Sequence, residues 1–142
     1  MGLIIGDQII RVVAQNKGVP KKTTISNNLR ILDVTKQDLS IIGEKKQGAV
    51  FTFVFESSYG ESESKIEIEG KIYYSGDKKE LDEIENTWKT KKSLPEKIML
   101  GINNRALEVS LLQSVALANQ LRLPVPIQLP RFVPATEEAK KG

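Results

Sequence analysis

The stretch AVFTFVFESSYGESESKIEIEGKIYY, Ala49–Tyr74, decides the fold. It contains two runs of alternating residues, and the short polar turn 60–64 separates them. Because residues two apart share a face of a strand, each run sorts its side chains onto two faces. The first run has phenylalanines on one face and mostly valines on the other, and the second run alternates isoleucines with charged residues. We therefore predict two paired antiparallel strands, the second with one face in solvent.

Two more strands are predicted before this pair. Residues 8–15 and 29–34 are short runs rich in β-branched and apolar residues, which is typical of strands. Residues 16–28 contain Gly, Pro, Lys and polar residues, so we predict a long loop there. The segment 36–48 is polar and punctuated by glycines, and Ile41 and Ile42 could extend the second strand after a bulge.

Helical spacing begins after the fourth strand. Asp77 and Glu80 form a capping-box pattern at the start of a short helix whose apolar residues recur at helical intervals. A second helix is predicted with Ser93 as N-cap and Pro95 in its first turn. It continues to Leu121 and would span about 40 Å.

The predicted fold class is α+β: a four-stranded antiparallel sheet followed by a short helix and one long helix. Residues 1–134 are expected to form a single domain, with 135–142 as a polar, disordered tail.

The long helix is apolar on most sides, whereas a helix that covers one sheet needs a single apolar stripe. We predict that one face packs on the sheet and another on a second copy of the chain, which makes the protein a homo-oligomer. The alternative is a helix sunk in a monomer core. The candidate interface residues are Ile98, Ile102, Leu107, Leu111, Val115 and Ala118.

The chain lacks the residues that most catalytic and metal sites use. It has no Cys and no His, which excludes disulfides, thiol chemistry, Ser-His-Asp triads and zinc fingers. Phosphate-binding and nucleophile-elbow motifs are absent from the sequence. Alternating Glu67 and Glu69 lie beside lysines, as cross-strand charge pairs do. We predict no enzyme activity, no cofactor and no metal.

Charge and hydropathy restrict the partners. The net charge is +3, and residues 1–48 hold the basic excess, which keeps open an alternative function as a nucleic-acid-binding module. The glutamates on the predicted wet strand face make nucleic acid an unfavourable partner. No apolar run approaches the ~20 residues that span a bilayer, and the start MGLIIGDQII lacks a signal-peptide pattern. We expect a cytoplasmic protein without membrane insertion.

Apolar residues also occur where a core does not need them. The predicted loop carries some, and the run LPVPIQLPRF, Leu123–Phe132, combines apolar residues with prolines that exclude helix. Such segments near a sheet can form a groove for extended apolar peptides, although they can also be core or oligomer contacts. The candidate client-binding residues are Val19, Pro20, Ile25, Phe51, Phe53, Phe55, Val125, Ile127, Leu129 and Phe132.

The order of these segments resembles the SecB-like chaperone family. The loop 16–28 matches that family's crossover loop, Ala49–Tyr74 matches its third and fourth strands, and the helix lies between Leu94-Pro95 and Leu123-Pro124. Ile127–Phe132 resembles the family's apolar connector. The chain departs from the family by being basic and by carrying only VPATEEAKKG where a second helix would follow, so it resembles an abbreviated member.

The resemblance implies a molecular chaperone, a holdase that binds unfolded proteins or preproteins without ATP. It implies a homotetramer, built as a dimer of dimers, with a use in protein export. By the same resemblance, the chaperone could instead serve a toxin–antitoxin system. A further alternative is an assembly protein that forms the oligomer but has no client activity.

Overall fold

The structure, a computed structural model of the protein, describes residues 2–19, 23–41 and 43–126. Its elements in chain order are the strands β1 (Leu3–Gln15), β2 (Ile25–Ile41), β3 (Glu44–Tyr59) and β4 (Lys65–Ser75), then the helices α1 (Lys78–Lys91) and α2 (Glu96–Leu121). The strands form one antiparallel sheet in the order β1-β4-β3-β2. The predicted α+β class, with a four-stranded antiparallel sheet followed by a short and a long helix, is confirmed.

The strand order sets the route of the chain. β1 and β2 are consecutive in the chain but form opposite edges of the sheet, about 14 Å or three strand spacings apart. Contacts with the β3–β4 turn hold this crossover: the Gly60 amide donates to Thr24 O over 2.8 Å, and the Lys17 amide donates to Ser64 Oγ over 2.7 Å. The crossover loop is shorter than the predicted 16–28, because residues 25–28 pair with β3.

The β2–β3 hairpin is much longer than predicted. The polar segment 36–48, where the sequence indicates at most a strand extension at Ile41 and Ile42, pairs residue by residue from Lys36 with Ala49 to Ile41 with Glu44. Ile42 itself lies outside the described residues. Gly43 permits the reversal because its φ of +79° suits glycine. Leu39 lies over Gly48, where a Cβ atom would meet its Cδ1 at 2.3 Å, and so even this polar hairpin buries an apolar side chain.

Both faces of β3 are largely buried from Gly48 to its end, as the apolar residues on both faces predict. The phenylalanines and the isoleucines of β4 point toward the helices, and the alternate residues of β4 lie half-buried on the far face. One core cluster joins this sheet face to α1 and the first half of α2. A second cluster joins it to the end of α2 and includes Phe55, Tyr59 and Leu123. No helix in the described ranges is long and apolar enough to cross a membrane.

The helix starts follow different rules. The Asp77 side chain accepts from the Glu80 amide over 2.8 Å, so the predicted cap of α1 is confirmed. The predicted Ser93 cap of α2 is wrong: the N-cap is Pro95, without a side-chain hydrogen bond, and the helix begins at Glu96.

An ion pair between Lys36 and Asp82 joins β2 to α1. The hydrogen bond in this pair lowers the pKa of Asp82 and raises the pKa of Lys36.

Candidate functional site

An open cleft of about 580 Å³ lies between the crossover loop and the C-terminal end of α2. Val19 on the loop and Val125 beyond the helix face into it, and both side chains are half-buried. Ala118 and Leu123, which are buried in the second core cluster, lie beneath the cleft and form its apolar floor. The other lining residues are Asn16, Gly18, Asn119, Arg122 and Pro124.

The crossover loop is fixed to the helix end by Asn16. Its Nδ2 donates to Leu121 O over 2.9 Å, which satisfies one of the free carbonyls of the last helical turn. Its Oδ1 accepts from the Gly18 amide over 2.9 Å, closing a local turn. Asn16 therefore fixes the crossover loop, which forms one wall of the cleft, to the C-terminal end of α2.

The chain beyond α2, residues 122–126, forms the second wall. Arg122 ends the helix in a left-handed conformation, and the Leu123 amide returns to Ala118 O over 2.8 Å. The Leu123 side chain is buried, and the prolines that follow prevent the helix from continuing. As predicted, the helix stops before Leu123-Pro124.

Two side chains anchor the carbonyls of this segment. Tyr59 Oη donates to Pro124 O over 2.8 Å, and Asn27 Nδ2 donates to Pro126 O over 2.9 Å. Asn27 is in turn oriented by Ser57, whose hydroxyl donates to Asn27 Oδ1 over 2.6 Å. Burial raises the pKa of Tyr59, so the phenol keeps the proton that it donates. The segment is therefore docked on β2 and β3.

We expect Tyr59→Phe to destabilise the fold by about 1–2 kcal/mol, because it leaves the Pro124 carbonyl without its donor in a part-buried site. The urea midpoint of unfolding measures the effect. Tyr73→Phe is the matched control, since the Tyr73 hydroxyl donates to Gln8 at an exposed site and its loss should cost less than about 0.5 kcal/mol. Equal midpoint shifts for the two variants would contradict this anchoring.

The predicted client-binding residues separate into three groups. Val19 and Val125 are brought together in the cleft, and half-buried Ile25 packs on the adjoining core cluster. The predicted role of Phe51, Phe53 and Phe55 as client contacts is wrong. All three are 0% exposed beneath the helices and belong to the core. The remaining four lie outside the described residues: Pro20, Ile127, Leu129 and Phe132.

The predicted oligomer residues also divide. Ile102 and Ala118 are buried against the sheet of their own chain, which corrects their assignment. Ile98 and Leu111 pack beside the two core clusters. Leu107 is 38% exposed and Val115 is half-buried.

Exposed apolar side chains mark a second surface. Leu100 and Leu112 on α2 are 58% and 70% exposed, and together with Leu107 they form the outer leucines of α2. The edge strand β1 adds three more exposed apolar side chains: Leu3, Ile10 and Val12. The sequence did not predict the exposure of these strand residues. Leu3 precedes the predicted strand, and bulges between Ile4 and Gly6 and between Ile9 and Arg11 interrupt the alternation that would assign the others to a face.

Several of the described acidic side chains take part in surface ion pairs. Within the described ranges, no group of Asp and Glu side chains could hold a metal ion. Glu67 pairs with Arg11 at 3.1 Å, and Asp7 pairs with Arg105 at 2.8 Å. These carboxylates therefore hold elements together at the surface.

A comparison with solved structures finds similarity to a SecB-like chaperone of Mycobacterium tuberculosis, solved in complex with a ChAD peptide from the HigA1 antitoxin. The two chains are 10% identical with a TM-score of 0.44, and the similarity covers 94% of this chain and 91% of that chain. No protein-family model and no curated protein matches the chain.

Proposed function

We propose that the protein is a cytoplasmic molecular chaperone, a holdase that binds unfolded polypeptides without ATP. The observation that carries the proposal is the open cleft, whose two walls present Val19 and Val125 over an apolar floor. Its anchored walls give a surface that exists before a client arrives. Preformed sites of this kind avoid the entropy cost of ordering the binding loop.

The chemistry of the cleft suits an extended chain. Unfolded clients offer apolar side chains together with unpaired backbone amides and carbonyls, and the cleft pairs apolar surface with the amide side chains of Asn16 and Asn119. One such contact is weak, and several identical clefts on one oligomer would raise the overall avidity. Neither step uses a nucleotide or a metal.

We also propose a homotetramer, a dimer of dimers, built through the outer leucines of α2 and the edge strand β1. α2 packs against β1, and the Asp7–Arg105 ion pair joins the two elements, so their exposed apolar side chains lie on neighbouring parts of the surface. In a single chain all of these side chains would be exposed to water. A helix that buries a second face against another copy explains why its sequence is apolar on most sides.

The alternatives have weaker physical support. The far face of the sheet mixes Arg11, Lys65 and Lys71 with Glu67 and Glu69, so it offers no continuous basic surface for nucleic acid. A role in protein export and a role in a toxin–antitoxin system are both consistent with the proposal, because each requires the same cleft to bind an extended chain.

The test is suppression of aggregation of a thermally unfolding model protein, followed by light scattering. We expect suppression at about one chaperone oligomer per client, and its loss when Val19 and Val125 are both replaced by Asp, because an uncompensated charge in the apolar cleft is costly. The matched control is Leu32→Asp, on an exposed apolar residue of β2 away from the cleft. No suppression by the unaltered protein at several-fold excess would overturn the proposal.

A further inference from the structure

We propose that the cleft selects apolar segments flanked by acidic residues, an inference that rests on the proposed client-binding function. Among the described residues that line the cleft, Arg122 is the only charged one. It is exposed at the helix end, where its guanidinium can reach solvent and a bound chain alike. No carboxylate lines the described cleft, so its field is cationic.

The crossover loop adds a second cation at the same rim. Lys17 lies between the lining residues Asn16 and Gly18, its side chain is exposed, and its amide is held by Ser64 Oγ. The acidic residues of the adjoining β3–β4 turn are Glu61 and Glu63, and neither lines the cleft. Charged groups at the rim of a binding site affect the association rate and the choice of partner more than they affect the affinity of the buried contacts.

The backbone at Arg122 supports a role for its side chain. Its φ of +58° lies in the left-handed region, at the position that usually holds glycine after a helix. Lys92 occupies the same place after α1 with φ +52°, but its ammonium lies 5.4 Å from the centre of the Trp88 ring. Within residues 2–19, 23–41 and 43–126, the Arg122 guanidinium forms no ion pair. Its charge is thus available to a ligand.

The experiment compares two labelled peptides with one apolar core, flanked either by two Glu or by two Lys, by fluorescence anisotropy with the full chain. We expect the Glu-flanked peptide to bind about fivefold more tightly at low salt. The difference should vanish at about 1 M salt, where charges are screened within about 3 Å.

Two charge reversals then locate the effect. Arg122→Glu should abolish or reverse the preference, whereas Lys92→Glu, the same change at the same kind of helix end, should leave it unchanged. Arg122→Gly should lose the preference while raising the thermal midpoint by about 3 °C, because glycine relieves the left-handed backbone. The comparison of the two peptides on the unaltered protein does not depend on the folding of any variant.

The outcomes separate the two proposals. Equal affinity for the two peptides, or an equal response to Lys92→Glu, overturns the acidic preference and leaves the chaperone function standing. Tighter binding of the Lys-flanked peptide also overturns it. Binding of neither peptide overturns both proposals.

Discussion

Replacing Phe53 with alanine is expected to destabilise the protein by about 3–5 kcal/mol, the cost of deleting a large buried aromatic side chain. The Phe53 ring is 0% exposed and lies directly on Gly70, where an added Cβ would meet its Cζ at 2.6 Å. It belongs to the cluster that joins β3 and β4 to both helices. The unfolding midpoint in urea, followed by circular dichroism, measures the change.

Thr52→Ala is the matched control for this prediction. Thr52 is the next residue of β3, half-buried on the face away from the helices, and its loss should change the midpoint little. If Phe53→Ala weakened client binding while the midpoint stayed unchanged, Phe53 would be a client contact and its placement in the core would be contradicted.

A double substitution of outer leucines, Leu107→Arg with Leu112→Arg, is expected to dissociate the proposed oligomer. Both side chains are exposed in the single chain, and in the proposed interface each would become a buried, unpaired charge. A buried charge without a partner costs about 3–5 kcal/mol, so the two changes should raise the dissociation constant by at least about 100-fold. Sedimentation equilibrium over a range of concentrations measures it.

Asn86→Arg, on the exposed side of α1, controls for the added charge. It should leave the sedimentation behaviour as it is in the unaltered protein. A protein that sediments as a monomer before any substitution, or an oligomer that keeps its mass in the double variant, would refute the interface.

The alternation of Ala49–Tyr74 predicted the centre of the sheet correctly, because a strand covered on one face must repeat with a period of two. Alternation did not predict the length of the β2–β3 hairpin. Its outer half is polar, and its pairing depends on a backbone ladder and on one contact between Leu39 and Gly48. The two bulges of β1 likewise move side chains between faces in a way that alternation does not anticipate.

The candidate site was predictable in part. Val19 and Val125 are apolar residues in segments that the sequence predicts to be neither helix nor strand, and the fold brings them to one cleft. The three phenylalanines were misassigned because a period of two says which residues share a face and not which face the helices cover. Asn16, Asn27 and Tyr59 carried no local signal, since each bonds to a backbone carbonyl far along the chain.

The most direct test of the account is where an unfolded client touches the protein. A photo-crosslinking residue placed at Val19, at Val125 or at Leu32 would be activated with a permanently unfolded protein, and the crosslinked fraction measured. The account predicts strong crosslinking from both cleft positions and little from Leu32, although Leu32 is itself 42% exposed. Equal yields from the three positions, or the highest yield from Leu32, would contradict it.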